Sequence, residues 1–195
     1  MRMRLLTVAL SLILLSGSAK AQTANRLDRV SATVVKLDGQ MLTLKAASGK
    51  DMSVTLPANA RVLRSRPGAI ADVKPGEFIG CTALEGPDGK LRAKEIHILP
   101  EPLRGVGEGH YHWGSQAKTT MTNGNIEQVA GISDGHVIKV SYRGGKSDIE
   151  IRPPVPVTVI EITGRDMLKP GTRITMFEHK NADGSETPQF ISISS

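Results

Sequence analysis

The sequence has a single cysteine, Cys81. An intramolecular disulfide is excluded, so the fold must rest on buried apolar side chains. Aromatic residues are scarce too: three Phe, two Tyr and one Trp. Single-stranded nucleic acids are commonly held by stacking on aromatic platforms, which this chain can hardly supply. A long cationic block is also missing. The densest basic group, Arg61, Arg64 and Arg66, is too small for a polyanion footprint. Nucleic-acid binding is not expected. The metalloprotease spacing H-E-x-x-H is absent, and no acid pair can be assigned to a cleft. These absences argue against an enzyme, and no catalytic residue is assigned. Helical periodicity is missing beyond the N-terminus, and Pro67 to Val73 has room for one helical turn at most.

The chain starts with the basic Met1-Arg2-Met3-Arg4, then an apolar run from Leu5 to Leu15, then small residues ending Ala19-Lys20-Ala21. This is the order of a Sec-type signal peptide over residues 1–21, with cleavage expected after Ala21. The run is shorter than the roughly 20 residues that cross a bilayer, so no transmembrane segment is expected in the mature chain. Removing residues 1–21 takes away Arg2, Arg4 and Lys20, which lowers the net charge from +6 to +3. The expected location is periplasmic or secreted.

The remaining sequence is written twice. "VVKLDGQMLTLKAASGK" (34–50) aligns with "AGISDGHVIKVSYRGGK" (130–146) at an offset of 96. One deletion later, Lys74-Pro75-Gly76 aligns with Lys169-Pro170-Gly171, and Asp88-Gly89 with Asp183-Gly184, at an offset of 95. The same order of turn signals at near-constant spacing indicates internal duplication. Apolar residues alternate in each copy: Val30, Ala32, Val34; Leu42, Leu44; Val54, Leu56; Ile79, Cys81, Ala83; Ile96, Ile98. That is strand periodicity. Asp-Gly suits tight hairpins, and Lys-Pro-Gly suits a turn with glycine at positive φ. "RPPVPV" (152–157) cannot sit in a central strand, because Pro donates no ladder hydrogen bond. Short strands in small copies favour closure, which removes exposed edges. The expected fold is all-β: two tandem small OB-like β-barrels, residues 22–98 and 125–195, joined by a Gly-rich linker over 99–124.

The pattern of Asp38-Gly39, Lys74-Pro75-Gly76 and Asp88-Gly89, with their second-copy partners, resembles the OB-like modules of the DUF5666 group of bacterial exported proteins. It is similar, more loosely, to the periplasmic OB-fold haem chaperone of cytochrome c maturation, although no residue matches that chaperone's haem-attachment histidine. The resemblance covers nearly the whole mature chain. Its motifs are turn chemistry, so it implies a fold and no activity.

Residues 99–124 have no partner in the repeat, and an insertion of this kind is where function can be grafted. It contains "GVGEGHYHWG" (105–114). If this stretch is extended, Glu108, His110 and His112 share one side and Tyr111 and Trp113 the other. Two imidazoles and a carboxylate could hold Zn²⁺ or Cu²⁺. In the other reading no cofactor is bound, Tyr111 and Trp113 pack into the cleft between barrels, and Tyr111, Trp113 and Arg104 are the candidate ligand-binding residues. His97, His136 and His179 recur in neither copy. Cys81 aligns with Met176 and shares a face with Ile79 and Ala83, so it reads as packing. The expected function is a non-enzymatic exported binding or adaptor protein whose partner is an envelope protein, a glycan or a small ligand. The alternative is a periplasmic divalent-metal-binding or metal-delivery protein using Glu108, His110 and His112.

Overall fold

The computed structural model describes residues 28–180 and 186–194; the expected signal peptide lies outside them. The strands are β1 (Asp28–Asp38), β2 (Met41–Ala46), β3 (Asp51–Thr55), β4 (Arg61–Pro67), β5 (Phe78–Glu85), β6 (Leu91–Leu99), β7 (Gly109–His112), β8 (Thr119–Ile132), β9 (Gly135–Tyr142), β10 (Gly145–Ile151), β11 (Val157–Thr163), β12 (Arg173–Lys180) and β13 (Glu186–Ile193). Short 3-10 turns occupy Ile70–Asp72, Glu101–Leu103 and Arg165–Met167. The structure is all-β, and among the described residues no helix is long and apolar enough to cross a membrane. The "RPPVPV" segment connects β10 to β11, as its missing N–H donors require. Gly76 and Gly171, which end the two Lys-Pro-Gly turns, have φ of 91° and 87°, the region glycine enters without steric cost.

Five strands close into a barrel in the order β8, β9, β10, β6, β5 and back to β8. The closing seam is parallel, pairing Ile149 with Leu91 and Glu150 with Arg92. Ile79, Cys81, Ala83, Ile96, Ile138, Val140 and Ile149 fill the interior, which is the inward set that period-2 alternation selects. Glu150 stands at the seam within 3.2 Å of Lys90, 3.7 Å of Arg92 and 3.1 Å of Arg152. These cations hold its carboxyl below the usual glutamate range, the Arg152 hydrogen bond first and the Lys90 hydrogen bond second.

The other lobe runs β13-β12-β1-β2-β3 around a second core of Val34, Leu42, Leu44, Leu56, Ile174, Met176 and Ile191. Among the described residues it remains open, because β3 pairs with β2 alone. At the offsets found in the sequence, Val54 stands where the barrel has Glu150, and Thr187 where it has Arg92.

Each lobe mixes strands from both sequence segments. The barrel takes β5 and β6 from 22–98 and β8 to β10 from 125–195; the open lobe takes β1 to β3 from the first segment and β12 and β13 from the second. The expected division into one barrel per segment is therefore corrected. The reason is the bridge between lobes. β4 and β11 pair antiparallel, from Pro67–Thr158 to Val62–Thr163, and each carries its chain from one lobe into the other. Arg64 and Arg66 on β4 both reach Glu161 on β11, at 2.7 Å each. The expected linker is also corrected: it contains β7 and the start of β8, which pair with each other.

Candidate functional site

The strap from Pro100 to Lys118 departs from the barrel and returns to it. Its first turn is fixed by Arg104, whose guanidinium faces Glu101 at 2.6 Å and donates to the Gly76 carbonyl at 3.0 Å and to the Asn125 side chain. It also lies 5.9 Å from the Phe78 ring. Arg104 is thus engaged in holding the strap. Gly107 has φ of 62°, and a Cβ there would lie 2.9 Å from Asn123 Nδ2. That nitrogen donates to the Gly107 carbonyl at 2.9 Å and to the Tyr111 hydroxyl at 3.0 Å. The glycine is needed for both the turn and the close approach.

From Gly109 to His112 the strap is extended and pairs with Asn123–Thr120 of β8, so side chains alternate as expected. His110 Nδ1 lies 2.8 Å from Thr122 Oγ1, and its ring stacks on Tyr142 at 5.9 Å. Burial lowers its pKa, with the Glu85 charge acting weakly the other way. His112 is exposed. Among the described residues, no three His, Cys, Asp or Glu side chains gather as a metal would require. His110 and His112 lie on β7 and Glu108 just before it, and among the described residues the three do not form a joint ligand set. His110 has turned to Thr122.

On the opposite side, Tyr111 and Trp113 meet edge to face at 6.2 Å. Burial raises the Tyr111 pKa, while the Asn123 hydrogen bond and the Arg29 charge act against it. Trp113 N–H donates to the Thr119 carbonyl at 2.8 Å, closing the turn through Gly114 and Lys118 at positive φ. The Trp113 ring then reaches the other lobe. Arg29 of β1 places its guanidinium carbon 4.9 Å from the Trp113 ring centre and 5.3 Å from that of Phe177 on β12. Half of the chain's six aromatic residues therefore gather at one guanidinium. Arg29 and Phe177 carried no signal in the sequence, because they become neighbours only when β1 pairs with β12.

Two shallow clefts lie elsewhere. One, of about 290 Å³, sits at the open lobe and is lined by Asn59, Arg61, Thr187, Pro188, Gln189 and Phe190. The other, of about 190 Å³, lies over β8 to β10. Neither holds a histidine or a cysteine. Cys81 is buried in the barrel, and burial, aided by the Glu95 charge, pushes its thiol up to about 12.

Two spacings used by some hydrolases also occur in the sequence, and both fall in the wrong context. Gly131-Ile132-Ser133-Asp134-Gly135 fits G-x-S-x-G, but Ser133 lies in the hairpin turn between β8 and β9 rather than on a strand-to-helix elbow. Ser115-Gln116-Ala117-Lys118 fits S-x-x-K, but it forms an exposed turn, whereas that motif needs a helical turn to bring its ends together.

No protein-family profile, curated protein or solved structure matches the chain.

Proposed function

We propose that this chain is an exported, non-enzymatic binding or adaptor protein acting in the periplasm or outside the cell. It is built from two copies of one OB-like unit that have exchanged their last two strands across the β4–β11 bridge. β11 follows β4 by 96 positions and β12 follows β5 by 95, the offsets of the sequence repeat, which supports duplication. The binding surface is the strap together with the joint it spans. The observation that carries this reading is the strap's construction. It is absent from the repeat, and neither apolar cluster includes its residues. Yet Arg104, Asn123 and Trp113 hold it against both lobes, and a mere tether needs no such fixing. A projecting strap without an enclosed pocket suits an envelope protein or glycan better than a small substrate.

The test uses the only Trp as reporter. Envelope material that binds the protein should protect Trp113 from iodide quenching. A Tyr111→Ala variant, with Trp113 retained, should capture less of that material while keeping its thermal stability. Equal capture by the variant, with no protection of Trp113, would refute the strap as the binding surface. Turnover of generic ester or phosphate substrates would refute the non-enzymatic reading.

A further inference from the structure

Arg29 differs from the arginines of the molecule that are held by carboxylates or by backbone carbonyls. Arg64 and Arg66 face Glu161, Arg92 faces Asp88, Arg104 faces Glu101 and Arg152 faces Asp134 and Glu150. Arg29 faces rings, and among the described residues no carboxylate lies within 4.0 Å of it. It is exposed, while Trp113, Phe177 and Tyr111 are half-buried. Aromatic faces attract a guanidinium but accept none of its in-plane N–H bonds. The rings therefore hold the guanidinium while, among the described residues, its N–H donors meet no carboxylate. Fixing a long side chain in advance removes part of the ordering cost that weakens surface ion pairs.

We propose that Arg29, set between Trp113 and Phe177, is a receptor for an oxyanion, either a carboxylate or a phosphate, on whatever the strap binds. A planar fork matches both groups through two parallel N–H···O bonds. The site exists only in the assembled molecule, because Arg29 and Phe177 come from the open lobe and Trp113 from the strap of the barrel. This inference rests on the strap being the binding surface and adds the chemistry of its ligand.

The experiment titrates the mature protein with glucuronate, with glucose 6-phosphate and with glucose at constant ionic strength. Trp113 emission and calorimetry are the readouts. A saturable change with either charged sugar, and none with glucose, supports the receptor; the sugar that acts identifies the oxyanion. Arg29→Gln should weaken that binding at least about tenfold. Arg29→Lys, which keeps the charge and loses the fork, should fall between the two. Unchanged thermal melting of both variants shows that the fold survives. No response to either charged sugar, an equal response to glucose, or equal affinity in Arg29→Gln overturns the proposal. If Trp113 is nevertheless protected by envelope material, the strap stands as binding surface and only its oxyanion chemistry falls.

Discussion

Single side chains read well from the sequence wherever their role was to fill a core. Leu44 and Ile96 alternate with polar neighbours and, like Leu42 and Ile79, are fully buried. Cys81 belongs with them. A thiol held near 12 in an apolar interior is neither nucleophilic nor accessible. At about pH 8 a thiol reagent should leave it unmodified in the native protein and react stoichiometrically after denaturation. Fast native labelling would show that the barrel opens. Polar roles were harder to read. Period 2 correctly placed His110 and Trp113 on opposite sides, but it could not say that Thr122 would engage one and Arg29 the other. Those partners lie on strands that the local pattern does not connect.

Strands and turns were legible because they are local. Their pairing was not, for a physical reason. The two segments carry similar alternating strands, so the local pattern of β5 suits an edge on β1 as well as one on β8, and no local signal separates the choices. The closing seam is one place where the two segments differ, with Glu150 at the offset position of Val54. Glu150 gathers Lys90, Arg92 and Arg152 there. Its lowered pKa means that its share of stability is present above the ordinary glutamate range and is lost as pH falls through the lowered value. The melting temperature should fall on acidification below about pH 4. Glu150→Gln should start lower at neutral pH and show a shallower acid slope. A slope identical to wild type would mean that the seam does not use this carboxylate.

At the scale of the whole molecule, each core draws on both sequence segments. The barrel core joins Val73, Ile79, Ile96 and Ile98 to Ile126, Ile138, Val140 and Ile149. A buried Leu or Ile contributes about 1.5–3 kcal/mol, and a whole domain is stable by only about 5–15 kcal/mol. A segment deprived of the other's strands therefore has no core to fold around. A chain cut once in the exposed turn at Gly114–Lys118 should remain one particle with its native melting transition. Either piece made alone should be unfolded or should pair with a second copy of itself through β4 or β11. A stable monomer from either piece would contradict shared cores.

The joint at Arg29 depends on the same exchange, because β1 must lie beside β12 for Phe177 to reach it. Backbone nuclear Overhauser contacts in the mature protein test this most directly. The account predicts cross-strand contacts between Ser31 and Thr175 and between Ala32 and Ile174. Contacts from β1 to residues 78–85 in their place would mean that each segment closes on itself, and would contradict it.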